Sequence, residues 1–417
     1  MKSASRIRLA TLAGAFVAAL STTSARGDVV MDWNAKADAI AIEKQIPNAS
    51  NARGQAMLHI AMFEAVNAIH KRYAPYKLNL GADGSLSSEA AAASAAHDVL
   101  IALYPDQKPG LDAMLVASLA GIAETEAKSK GIELGKQAAA GIIALRANDG
   151  SGMPESYRPY ASPGVYVPTP TPIESTSSKI TPFAMSTGSQ FRPAPPPVLT
   201  SETWTKDLNE IREIGGSASG KRTAEQTTMG RFWFFTGPQT YNPIVRQVAL
   251  IKKMDLVDCA RLYALTSIAG IDAFIAIFDA KYTYNLWRPV TAIRNADLTS
   301  NPATPREASW SPLGSTPMHP EYPCAHCIVA AAVSTVLSKV AGNEPGEVTL
   351  ASPTAPGVTR KWARLQDYSN EVSNARIYAG FHYRFSTDVA KDMGKKIGEL
   401  TVATRLQGAV AAVQPKP

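Results

Sequence analysis

Apolar side chains crowd residues 55–70 (QAMLHIAMFEAVNAIH) so densely that their spacing predicts a helix buried on most of its faces. Residues 28–46 form a short leading segment before it. Residues 86–103 are Ala-rich and open on Ser87-Ser88-Glu89, which can cap a helix. Residues 111–146 read as further helix, broken near Gly131 and stopped by Asn148-Asp149-Gly150. Then the pattern changes. Residues 154–197 hold 11 prolines in 44 positions, including PTPTP and PAPPP, which neither regular helix nor central strand tolerates. A long ordered crossover or linker is predicted there. Helical spacing returns at 203–215 and 223–235 and runs strongly from 243 to 287. A loop rich in Pro, Ser and Thr occupies 295–323, another apolar helix 326–340, and residues 367–405 contain the last two helices. No convincing alternation of strands with helices occurs, so the chain is predicted to be mainly α.

Residues 56–69 (AMLHIAMFEAVNAI) align without gaps on residues 264–277 (ALTSIAGIDAFIAI), with six of fourteen positions identical and Glu64 falling on Asp272. Ala and Ile are common in buried helices, so chance is the competing explanation. Taken as a repeat, the similarity predicts a helical bundle architecture of two related four-helix bundles joined by the Pro-rich crossover. The expected organisation is a leader at 1–25, an N-terminal helical part at 26–150, a Pro-rich connection at 151–200 and a C-terminal helical part at 201–417. Residues 26–417 would act as one integrated catalytic domain.

Composition narrows this further. At 45% hydrophobic and 18% charged residues the chain is too apolar to be disordered. Lys plus Arg number 42 against 35 acids, a formal charge of +7. Lys2, Arg6 and Arg8 precede a short apolar run, LATLAGAFVAAL, and the small-residue exit STTSA, the pattern of a secretory signal peptide. Cleavage after Ala25 would leave +4 and an exported, periplasmic or extracellular protein. No later apolar stretch is read as long enough to span a bilayer, so no integral membrane segment is expected after cleavage. The basic residues form no run, which argues against nucleic acid as a partner.

Three C-terminal clusters could carry chemistry. In KYTYNLWRP, Lys281 and Arg288 are seven apart, about two helical turns along nearly one face, with Pro289 marking a boundary. They could close over an anion, or be a solvated basic stripe. In HPEYPCAHC, residues 319–327, Pro323 suits a first helical turn, and the amides of Cys324, Ala325 and His326 would face an anion with His326 beside it. An ordinary proline-led helix start is the bland alternative. In ARIYAGFHYRFSTD, residues 375–388, Arg376 and His382 lie about 120° apart on an unbroken helix and converge only if the chain bends, as it could near Gly380. Asp388 could orient a ring N–H, or be an exposed charge. His59, His70 and His97 sit on predicted helices without partner motifs and read as core or surface residues.

The ordered set K-x6-R-P, P-C-A-H and R-x5-H resembles the vanadium-dependent haloperoxidases, within the type 2 phosphatidic acid phosphatase superfamily. The likeness extends to Asp32-Trp33-Asn34, to HIAMFEAVNAIH and to PFAMSTGSQFRPAPPP, covering most of the chain after the leader. The resemblance implies vanadate as cofactor, with phosphate competing for its site. His382 would be the vanadium ligand; Lys281, Arg288, Cys324, Ala325 and Arg376 would hold the oxyanion, and His326 would be the acid/base. Hydrogen peroxide and halide would be the substrates. His319, five residues before Cys324, matches the algal bromoperoxidases and points to bromide or iodide. Association into a homo-oligomer stays open.

The departures from the family pattern bear on function. Cys324 replaces a serine hydroxyl with a weak thiol donor, Ala325 replaces a glycine and Ala375 a serine. The same pocket suits an exported acid phosphatase, in which a phosphate ester is the substrate, His382 the nucleophile and His326 the leaving-group acid. A third reading comes from Cys324-x-x-Cys327, which could form a disulfide in a non-catalytic or redox-regulated descendant, leaving Cys259 single.

Overall fold

The computed structural model describes residues 28–168 and 170–408; the leader read in residues 1–25 lies outside them. The first helices are α1 (Val29–Glu43), α2 (Asn48–His70), α3 (Ser88–Leu103), α4 (Lys108–Leu119) and α5 (Glu126–Leu145). Ser87 caps α3 as expected, accepting the Ala90 amide at 3.2 Å. The break lies before α5, where Thr125 caps the new helix, and not near Gly131. Gly131 and Gly135 are inside α5 for a packing reason. A Cβ on them would fall 2.5 Å from the Ser87 carbonyl and 2.3 Å from the Ala91 carbonyl, so they let the α3 backbone lie directly against α5.

After the crossover come α6 (Glu202–Ile214), α7 (Ala224–Phe232), α8 (Asn242–Ile251), α9 (Leu256–Tyr284), α10 (Pro289–Arg294) and α11 (Ala325–Ala341). The antiparallel hairpin of β1 (Val348–Ser352) and β2 (Ala355–Trp362) follows, then α12 (Leu365–Tyr378) and α13 (Arg384–Thr404). The run expected from 243 to 287 is divided, because Lys253 turns left-handed (φ 51°) and Asp255 caps α9. α9 also corrects the expectation that no later segment could span a bilayer. Its length and hydropathy are sufficient, but the surrounding protein buries it.

The fold is mainly α, and the internal similarity is borne out by packing. α2 lies against α9, and the aligned positions His59 and Ser267 bond directly, Nδ1 to Oγ at 2.6 Å. The aligned acids do parallel work. Glu64 accepts the amides of Lys77 and Leu78, and Asp272 those of Phe183, Ala184 and Met185. Asp272 thereby anchors the Pro-rich crossover. In the second bundle Gly394 and Gly398 of α13 repeat the part of the α5 glycines, with Cβ positions 2.2 Å from the Ile328 carbonyl and 2.8 Å from the Ala332 carbonyl of α11. α1, α2, α3 and α5 thus form one bundle and α9, α11, α12 and α13 the other, sharing one continuous hydrophobic core. A smaller aromatic core of Trp204, Trp287, Trp310, Tyr322, Tyr383 and Phe385 lies beside them. Three of its members, Trp287, Tyr322 and Tyr383, are chain neighbours of Arg288, Glu321 and His382, so it clamps the loops that carry those residues.

Candidate active site

Lys281 is in the last turn of α9, and Nζ donates to the carbonyls of Pro320 at 2.8 Å and Glu321 at 2.7 Å. Arg288 does not continue that helix, contrary to the expectation of two helical turns on one face. Asn285 ends α9 in the left-handed region, and Arg288 is the extended residue that begins α10. This exit swings the guanidinium under the 319–321 loop. Nε donates to the His319 carbonyl at 2.9 Å, Nη2 to His319 Nδ1 at 3.0 Å, and Nη1 to the Phe381 carbonyl at 3.0 Å and His382 Nε2 at 3.1 Å.

Arg376 and His382 converge as the bend at Gly380 requires. α12 stops at Tyr378, Gly380 takes φ 79°, and α13 starts only at Arg384. A Cβ at Gly380 would lie 2.4 Å from the Gly215 carbonyl, so both the turn and the close approach need glycine. Arg376 donates Nη1 to the Trp233 carbonyl and lies 4.8 Å over the Phe381 ring, while its buried Nε has no hydrogen-bond partner among the described residues.

At the start of α11, Pro323 is not in the first helical turn as expected. It follows a cis bond from Tyr322 and precedes the cap, Cys324. Cys324 and Cys327 form a disulfide, so neither carries a free thiol, and both are buried. The Cys324 amide donates to the Ser386 carbonyl at 3.4 Å and the Cys327 amide to Cys324 Sγ at 3.3 Å. Of the three amides expected to face an anion, those of Ala325 and His326 remain without a protein partner among the described residues. His326 Nε2 is likewise buried and unpartnered, against a void of about 20 Å³ bounded by Trp233, Phe274 and Tyr368.

Glu321 was not singled out in the sequence, although it stands between His319 and His326. Its Oε1 accepts His382 Nδ1–H at 2.8 Å and the Tyr383 amide at 3.1 Å. It holds the place expected of Asp388, which instead is exposed and pairs with Lys391 at 3.1 Å, away from the site. A lone acid amid basic site residues was the available signal.

The electrostatics follow from burial. Desolvation, with repulsion from Arg288 added, pushes Lys281 well below the ordinary lysine range and Arg376 to about 9, while desolvation by itself lowers Arg288 to about 10. Glu321 acts on Lys281 and Arg288, and burial raises it to about 7 against their pull. Burial, then the cations, keeps His319, His326 and His382 well below the normal histidine range and therefore neutral. Tautomers follow from the partners. Arginine only donates, so His382 Nε2 must carry a lone pair and Nδ1 the proton that Glu321 accepts. His319 Nδ1 lies between the Arg288 Nη2 donor at 3.0 Å and the Pro320 carbonyl at 3.2 Å, and the shorter, charged donor makes it an acceptor with its proton on Nε2.

Residues 261–409 match the family model described as the VCPO second helical-bundle domain. Vanadium chloroperoxidase of Curvularia inaequalis is 25% identical over an alignment 237 residues long that covers 42% of this chain and only 38% of that protein. The crystal structure of the first bacterial vanadium-dependent iodoperoxidase superposes with a TM-score of 0.78 at 26% identity, covering 91% of this chain and 97% of that one. An apo bacterial vanadium-dependent chloroperoxidase shares the fold, with a TM-score of 0.66 at 18% identity over 85% of this chain and 93% of that one. In the sequence of residues 261–409 and in the fold of most of its length, the chain resembles the vanadium-dependent haloperoxidases.

Proposed function

We propose that the protein is a vanadate-dependent haloperoxidase that oxidises bromide or iodide with hydrogen peroxide to hypohalous acid. The observation that carries this reading is a buried cage of Lys281, Arg288 and Arg376 around His382 Nε2, where Glu321 is the one opposing carboxylate among the described residues. Buried positive charge in such excess needs an anion, and the unpartnered Arg376 Nε and His326 Nε2 are donor or proton-exchanging atoms left for one. Vanadate fits this set. His382 Nε2 would hold the metal, and Lys281, Arg288, Arg376 and the Ala325 and His326 amides would hold its oxygens.

Bound vanadate would supply the Lewis-acid centre that makes peroxide electrophilic toward halide. Glu321 keeps the His382 ring oriented with its Nδ1 proton engaged, so the opposite lone pair stays aimed into the cage. With His382 Nε2 engaged by vanadate, Arg288 Nη1 would give up its contact with that nitrogen and be free to donate to an oxygen. His326, neutral and unpartnered at Nε2, can accept a proton from incoming peroxide and return it later. His319 has a free Nε2–H beside Arg288, a donor suited to a large halide, and likeness to an iodoperoxidase supports that preference.

Phosphate would compete for the cage. Independent thiol–disulfide exchange is disfavoured because both cysteines are buried. The continuous core supports one integrated catalytic domain, and the leader-like N-terminus supports export.

The test is to express residues 26–417 without vanadate and assay two activities. Bromination of a phenol dye that requires vanadate, bromide and peroxide together, and is lost in His382→Ala, is the expected result. Rapid hydrolysis of an aryl phosphate, inhibited by vanadate and unaccompanied by halide oxidation, would instead establish a phosphatase.

A further inference from the structure

Hydrogen peroxide and halide are species of one or two heavy atoms, yet a cavity of about 890 Å³ opens beside the cage. That volume is in the range of sites for organic ligands, roughly 300–1,000 Å³. Its walls are mostly apolar, including Tyr166, Val167, Val290 and Met318, and among the described residues no acidic one lines it. Two arginines do. Arg288 is buried and shared with the oxyanion cage, where it touches His382. Arg294 is exposed at the other extreme. Its Nε donates to the Trp310 carbonyl at 2.7 Å, and its two terminal nitrogens have no partner among the described residues.

The rim is unusual for a protein surface. Val167, Ile173 and Met318 are 42%, 41% and 39% exposed and gather at this one opening. Exposed apolar groups gathered around a concavity mark a binding site more often than they occur by chance. Ile173 and Met318 are also tied to each other, amide to carbonyl at 2.9 Å, so the rim is built and not frayed.

We propose that this cavity binds the organic acceptor of the halogen, an arene carrying an anionic group. The carboxylate or phenolate sits at Arg294 and the ring against Val290 and Met318, toward the cage. The inference rests on the haloperoxidase reading and deepens it, by making halogenation occur at the protein and not only through released hypohalous acid. The chemistry balances. Hypohalous acid and the arene give the haloarene and water: a carbon–halogen bond forms as the ring C–H breaks, and the proton leaves with the hydroxide of the hypohalous acid. The ring carbon is oxidised and the halogen reduced to its halide oxidation level.

Two arms test this with the vanadate-loaded protein. First, calorimetry without peroxide compares 4-hydroxyphenylacetate with the neutral 4-methylphenol. Saturable binding of the anion is expected, weakened about tenfold in Arg294→Ala, as loss of one ion pair implies, and recovered in Arg294→Lys. Val167→Asp, which places a like charge at the rim, should weaken it too. Second, an equimolar mixture of the two phenols is brominated and the products compared with those from free hypobromite. The enzyme should favour the carboxylate-bearing phenol, and Arg294→Ala should return the ratio to that of hypobromite. Absent or Arg294-independent binding, or a hypobromite-like ratio from an enzyme that oxidises halide, overturns this inference alone. Failure to form triiodide from iodide and peroxide overturns the haloperoxidase reading, and the acceptor role falls with it even if the arene binds.

Discussion

At the scale of single residues, Arg288 and Glu321 set the chemistry of the site between them. Arg288 has donors only, so every atom it faces must accept, and that fixes the tautomers of His319 and His382. Glu321 holds the other nitrogen of His382 and the next backbone amide. Removing it should leave the ligand nitrogen in place but free to rotate or change tautomer. Glu321→Ala is expected to weaken vanadate binding or halide oxidation by about 10–100-fold, the usual cost of losing such a supporting hydrogen bond. Glu321→Gln keeps an acceptor and should lose less. Vanadate titrations of iodide oxidation check both, and equal loss in the two variants would show that the charge of Glu321, not its orientation of His382, is what matters. Cys324 shows how one substitution reads differently once folded. In the sequence it is a weakened hydroxyl or half of a possible disulfide; in the structure it is half of that disulfide and also the cap of α11.

At the scale of elements, the contact of α2 with α9 encloses a polar cluster in an apolar interface. His59 there touches Ser267, Asn34 and the Tyr263 ring, with Arg246 and Asp38 close by. Burial first, and Arg246 second, hold its pKa down to about 3. The folded ring therefore stays neutral while an unfolded histidine takes up a proton near pH 6.5. Stability from this group is present in full above that value and is lost as pH falls toward 3. The difference amounts to about 5 kcal/mol over that window. Denaturant unfolding of wild type and His59→Gln between pH 7 and 4 measures it. The wild type should lose more stability than the variant on acidification, and parallel losses would mean that His59 is not the titrating group.

At the scale of the whole molecule, the proposed oxyanion cage lies where α9, the 319–327 loop, α11 and the α12–α13 turn meet, so an anion bound there would bear on both bundles through their common core. Three buried cations facing one carboxylate oppose folding until an anion joins them. A phosphate or vanadate concentration 100 times its dissociation constant should raise stability by about 2.7 kcal/mol. Thermal unfolding with and without phosphate reports this as a higher midpoint. Arg376→Met should abolish the phosphate effect; a shift that survives in that variant would place the anion elsewhere.

The sequence by itself determined the mainly α architecture, most helix positions, the Pro-rich crossover and the identity of the basic and histidine residues in the cage. These are written in local patterns: apolar spacing, proline density and short ordered motifs. Even the need for a bend near Gly380 was legible, because six residues on a helix cannot bring Arg376 and His382 to one face. Only the tertiary structure decided how they meet. The left-handed exit at Asn285 moves Arg288 off the α9 face, and the 319–321 loop supplies Glu321 in place of Asp388. The hairpin at Val348–Trp362 and the break ahead of α5 were likewise hidden, as was the reason for Gly131 and Gly135 inside that helix. The cause is common to all of these. They depend on which backbone atoms and charges lie within a few ångströms across segments distant in the chain, and spacing along one segment carries no record of that.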